Sequence, residues 1–139
     1  MVDERLTDGV RIGQLLASEV SGDGGRLRDL ALADADPDVE PTPDGALAYR
    51  VIHGGETLVA EAYVQPDRLR IEFVAGAAEN DDGTDLPAVA ADAADDAGLR
   101  VRPKEVRPPR TLVFVEDGAQ VKRALPAFEA VVDAIGERQ

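Results

Sequence analysis

Apolar and polar positions along the chain change period several times, and each change marks an element. Val10, Ile12, Gly13, Leu15, Leu16, Ala17 and Val20 form a wide apolar face, with Arg11, Gln14, Ser18 and Ser21 in a polar stripe opposite. This helical period predicts an amphipathic helix over about 8–21, with Thr7 as candidate N-cap, Asp8 in its first turn and Gly22 as a left-handed stop. From Arg26 the period falls to two. Strands are predicted at 26–33, 46–53, 57–65 and 68–75, the last the clearest, because Leu69, Ile71 and Phe73 alternate with Arg68, Arg70 and Glu72. Gly54-Gly55 suits a hairpin turn, and Pro66-Asp67 makes a second turn, so the middle strands read as a meander with one buried face.

A second helix is expected after the acidic turn at 79–85. Thr84 or Asp85 would cap it, Pro87 fits its first turn and Gly98 ends it. Its inner stripe is Leu86, Val89, Ala90, Ala93 and Ala97, while Asp92, Asp95 and Asp96 face water. Residues 99–104 alternate again, Pro108-Pro109 breaks the pattern, and the apolar run 111–115 is a central strand. The last helix starts near Asp117 or Gly118 and reaches about Ile135, with Pro126 expected to kink or restart it. Val121, Leu125, Phe128, Val132 and Ile135 line one of its faces. The order α-β-β-β-β-α-β-β-α, with no repeat or linker, predicts one α+β domain over 1–139. It has three helices on a mostly antiparallel sheet, a meander plus a C-terminal hairpin.

This order resembles the fold of type III secretion chaperones: a leading helix, a meander, a helix, a hairpin and a closing helix. The resemblance is topological and carries no signature motif. It implies a homodimer that binds other proteins and performs no chemistry.

Composition narrows the chemistry. The 139 residues include no Cys or Trp and one His, which removes thiolate metal sites, disulfides and cysteine nucleophiles. The only serines, Ser18 and Ser21, are not in a nucleophile elbow, and His53 is explained by the hairpin turn it precedes. The glycine-rich 21–25 follows a helix and lacks the ending of a phosphate-binding loop, so it is a helix stop and turn. Asp34, Asp36 and Asp38 are spaced like the start of a calcium loop. However, Val39 stands where Gly is needed and Gly45 where Glu is needed, and 80–83 also lacks its first ligand. No metal site and no cofactor is expected. No stretch approaches the length of a membrane span, and Asp3 and Glu4 are at odds with a signal peptide, so a cytoplasmic protein without a membrane partner is expected.

Net charge is −13, from 28 acids against 15 bases, and the bases are almost all Arg. Asp outnumbers Glu, and the apolar content leans on Ala and Val. These features resemble small cytoplasmic proteins of halophilic archaea, where acidic surfaces stay hydrated and salt strengthens apolar burial. The alternative is an ordinary acidic protein of a GC-rich genome.

Against that background, Arg100, Arg102, Lys104, Arg107 and Arg110 form a basic run interrupted only by Glu105, directly after the acid-rich 79–96. Arg68 and Arg70 share the strand alternation, as Arg26 and Arg28 do more weakly. If these strands are neighbours, one sheet face is an arginine field suited to carboxylate or phosphate. Three readings remain open. The arginines pair internally with Glu or Asp, for which Glu56, Glu61 and Glu72 on or beside strands are candidates. They hold an acidic segment of a protein partner or of a second copy. Or they bind a phosphate ligand or nucleic acid, which the net charge, salt and scarce aromatics disfavour. The expectation is a non-catalytic, chaperone-like binding module, homodimeric and salt-adapted, with Arg68, Arg70, Arg100 and Arg102 as anchors and Lys104, Arg107 and Arg110 beside them. An enzyme with a carboxylate site is the further alternative.

Overall fold

The computed structural model describes residues 8–22, 25, 27–55, 57–74, 86–104 and 110–137. Helix α1 (Gly9–Gly22) precedes strands β1 (Leu30–Ala33), β2 (Ala46–His53), β3 (Thr57–Gln65) and β4 (Arg68–Phe73). Helix α2 (Leu86–Asp96), strands β5 (Arg100–Lys104) and β6 (Arg110–Val115), a short 3-10 turn (Gly118–Gln120) and helix α3 (Val121–Glu137) complete the order. The six strands form one sheet, β1-β2-β3-β4-β6-β5, with every neighbouring pair antiparallel. This is the expected α+β fold, with β6 inside the sheet and β1 and β5 at its edges.

Strand alternation decides which side is covered. Tyr49, Val51, Ala60, Ala62, Val64, Leu69, Ile71, Phe73, Val113 and Val115 join Ile12, Leu16, Val20, Leu86, Ala90, Phe128 and Val131 in one core. Each strand thus gives one of its two faces to the helices. Phe73 and Phe128 meet at 4.9 Å between ring centroids. Two polar groups on the covered side are satisfied there: Tyr49 donates to the Gly13 carbonyl at 2.7 Å and Thr111 to the Pro87 carbonyl at 2.9 Å. Burial pushes the Tyr49 hydroxyl well above its ordinary pKa, so it stays a donor.

Element ends follow local chemistry, with several corrections to expectation. Asp8 caps α1, its carboxylate accepting from the Val10 and Arg11 amides; Thr7 lies outside the described residues. Gly22 closes α1 without a left-handed conformation, which Gly98 does adopt after α2 at φ 88°. The β1 strand is shorter than its alternation implied, because 27–29 form a turn that buries Leu27. Leu99 and Val74 fall outside their strands, and Ala75 lies outside the described residues, as do Arg26 and the 79–85 segment with the proposed caps of α2. The α3 helix runs through Pro126 without ending. Pro126 and Lys122, the residue whose carbonyl loses its donor, are both exposed, so water is in reach of that carbonyl. Its inner face is Val121, Ala124, Ala127, Phe128, Val131 and Ile135, with Leu125 and Val132 only partly buried at its flanks.

The start of α1 also fixes the β3–β4 turn. The Gly9 amide donates to the Pro66 carbonyl at 3.3 Å. A Cβ at Gly9 would lie 1.9 Å from the Gln65 carbonyl oxygen, so only glycine allows this approach.

The arginine face of the sheet

The sheet face turned away from the helices carries the charged alternates, and cross-strand register sorts them into rows. Tyr63, Arg70, Phe114 and Arg100 stand opposite one another across β3, β4, β6 and β5. The next row is Glu61, Glu72, Leu112 and Arg102, and Arg50 on β2 faces Glu61. Glu61 and Glu72 are therefore two buried carboxylates placed directly across from each other, a repulsive arrangement unless a cation intervenes. Arg110 supplies it. One of its nitrogens, Nη1, donates to Glu61 Oε1 and Glu72 Oε1, each at 2.8 Å.

The network extends to both sides. Arg50 donates from Nε to Glu61 Oε2 at 3.1 Å and from Nη1 to Asp34 Oδ2 at 2.7 Å. The Tyr63 hydroxyl donates to Glu61 Oε1 at 2.6 Å. Arg70 places Nε 3.0 Å from Glu72 Oε2 and donates from Nη1 to the Asp44 carbonyl at 2.9 Å. Burial pushes the Glu61 carboxyl up, but the hydrogen bonds from Tyr63, Arg50 and Arg110 outweigh it and hold Glu61 below its ordinary value. For Arg110 burial acts against the charged form, and the bonds to Glu72 and Glu61 more than compensate. For Arg50 the bonds to Asp34 and Glu61 strengthen the charged form.

Internal pairing thus accounts for Arg50 and Arg110, and in large part for Arg70. It explains Glu61 and Glu72 as structural carboxylates, while Glu56 lies outside the described residues. The aspartates of the 34–38 segment also have local duties. Asp34 holds Arg50, and Asp36 accepts from the Asp38 amide at 2.9 Å. Among the described residues no cluster of three His, Asp or Glu side chains is placed to hold a metal.

Of the seven basic residues singled out by sequence, the fold brings four together. Arg68, Arg70, Arg100 and Arg102 surround a hollow of about 270 Å³ with Leu112 and Phe114 in its lining. The β6 strand lies between β4 and β5, so its two apolar side chains form a floor between an arginine pair on each side. The guanidinium carbon of Arg68 sits 4.3 Å from the centre of the Phe114 ring, and that of Arg70 sits 4.8 Å from the centre of the Tyr63 ring. Arg68 is also steadied by Gln65, which accepts from its Nε at 2.8 Å while donating to the Pro43 carbonyl. Arg102 is exposed and makes no side-chain hydrogen bond or ion pair with the described residues. Arg110 is drawn away to Glu61 and Glu72. The backbone of Lys104 pairs with Arg110 at the strand end, and Arg107 lies outside the described residues, as does Glu105. Arg28, considered with the weaker alternation, lies in the exposed turn before β1.

Sequence reasoning did not single out Glu116. This acid, just beyond β6, places Oε2 3.9 Å from Arg68 Nη1 and 3.5 Å from Arg100 Nε. A lone acid at a strand end has no distinguishing pattern; only the β4–β6–β5 pairing shows what it faces.

A separate apolar cavity of about 320 Å³ lies between α1 and the segment after β1, lined by Val10, Ala17, Leu32, Val39, Ala48 and Tyr49 among others. Among the described residues no helix is long and apolar enough to cross a membrane. No curated protein and no solved structure significantly matches the chain. The model of a family of unknown function, DUF7993, matches residues 1–139, and the chain belongs to that family.

Proposed function

We propose that this chain is a non-catalytic, chaperone-like protein-binding module of the cytoplasm, adapted to high salt, and that the arginine hollow receives an acidic segment of a partner protein or of a second copy. The observation that carries this reading is the grouping of Arg68, Arg70, Arg100 and Arg102 around an apolar floor, with Arg102 lacking any partner among the described residues. Guanidinium groups bind carboxylates through parallel, planar hydrogen bonds, and contact pairs of that kind survive salt that abolishes long-range attraction. The floor of Leu112 and Phe114 adds apolar contact, which concentrated salt strengthens.

A polyanion fits less well. The chain carries −13, and phosphate contacts weaken steeply as salt rises. Tyr63 and Phe114, the aromatic groups of this face, are already faced by Arg70 and Arg68. They are not free to stack on bases.

The test is fluorescence anisotropy in molar KCl with a labelled peptide that alternates acidic and aliphatic residues, and with a labelled RNA oligonucleotide as the rival. Wild type is expected to bind the peptide and ignore the RNA. The Arg100→Ser/Arg102→Ser variant should bind the peptide about three- to tenfold more weakly, as the loss of two exposed ion pairs implies. Peptide binding indifferent to the substitutions, or RNA binding in place of peptide, contradicts the reading.

A further inference from the structure

Two hollows share Arg68. One is the 270 Å³ hollow of Arg68, Arg70, Arg100 and Arg102. The other is wider, about 670 Å³, and is lined by Pro43, Gln65, Pro66, Asp67, Arg68 and Glu116. Glu116, from the wider hollow, faces Arg68 and Arg100 of the smaller one. The Arg68–Glu116 pair is loosely made. Its 3.9 Å separation, and the 3.5 Å from Glu116 to Arg100, exceed the ~2.7–2.9 Å of a charge-assisted hydrogen bond. The carboxylate and both guanidiniums are partly exposed, Arg100 to 61%. By contrast, the pairs that hold the sheet together, from Arg110 to Glu61 and Glu72, are close and largely buried.

We propose that Glu116 is an internal stand-in for a partner's carboxylate. It occupies Arg68 and Arg100 in the free protein, and an incoming acidic segment displaces it. Once Glu116 swings out, the two hollows join into one groove from the β3–β4 turn to the β5 edge. This deepens the binding reading above and rests on it. The groove selects an extended segment. In an extended chain, alternate side chains point the same way at a spacing of ~6.5–7 Å, which is also the spacing of Arg100 and Arg102 along β5. The favoured partner therefore carries acids two residues apart, with an aliphatic group available for Leu112.

Glu116→Gln tests the stand-in. Its backbone amide, which donates to Gln120 Oε1 at 2.8 Å, is unaffected by the change. The same acidic peptide in molar KCl should bind this variant about two- to fivefold more tightly than wild type, the fold-change expected from freeing one exposed ion pair. Asp96→Asn, on the exposed end of α2, makes the same change in net charge away from the groove and should leave affinity unchanged. If wild type binds but Glu116→Gln is no tighter than Asp96→Asn, the stand-in is wrong while the binding function stands. If neither wild type nor Glu116→Gln binds, both fail. Binding by Glu116→Gln alone supports the stand-in in its strongest form.

Discussion

At the scale of single residues, the decisive feature is how one side chain settles the conflict created by two others. Register puts Glu61 and Glu72 opposite each other, and Arg110 bridges them. Removing Arg110 would leave the two carboxylates facing each other with no cation between them, and removing the Glu61 charge would leave Arg50, Arg110 and Tyr63 donating to a weaker acceptor; either change costs more than the intact pair contributes. The depressed Glu61 carboxyl gives this a pH signature. Its stabilisation is complete above the ordinary glutamate value of 4.5 and is lost as pH falls through the lower folded-state value. Glu61→Gln should therefore lower stability by about 1–3 kcal/mol at neutral pH, with the gap closing below about pH 4. Denaturant unfolding of both proteins across this range is the check. A gap that stays constant down to acid would show that the carboxylate's charge is not what stabilises.

At the scale of elements, the sequence made the fold legible wherever period and turn chemistry agreed. The end of β2 and both ends of β3 follow from alternation closed by Gly54-Gly55, whose φ values of 64° and 83° only glycine adopts without cost, and by Pro66-Asp67. Misreadings arose where tertiary packing overrode a local signal. Leu27 looked like a strand residue because it is apolar, yet it is buried from within a turn. Pro126 signals a kink or a restart, and from its place on the exposed side of α3 it does not restart the helix. The arginine face was legible only in outline. Alternation places Arg68 with Arg70 and Arg100 with Arg102, but the partners of each arginine depend on pairings between distant strands. Arg110 and Glu61 are 49 residues apart, and no local pattern links them. The grouping of the hollow depends on β6 passing between β4 and β5, which strand order along the chain does not reveal.

At the scale of the whole molecule, Asp92, Asp95 and Asp96 lie exposed on α2, while Arg68, Arg70, Arg100 and Arg102 gather on the uncovered side of the sheet. A chain of charge −13 repels itself, and the range of that repulsion shrinks from ~10 Å at 0.1 M salt to ~3 Å at 1 M. The salt-adapted reading therefore predicts a higher melting temperature in molar KCl than in dilute buffer, measurable by calorimetry; equal melting in both would sink it. Binding is the claim on which the functional account rests, and it is most directly tested by following the arginine Nε–H resonances of isotope-labelled protein while the acidic peptide is added in molar KCl. Arg68, Arg100 and Arg102 should shift together and saturably, while Arg50 and Arg110, held by their internal carboxylates, stay in place. Shifts confined to Arg50 and Arg110, or no saturable shift at all, would contradict the binding claim.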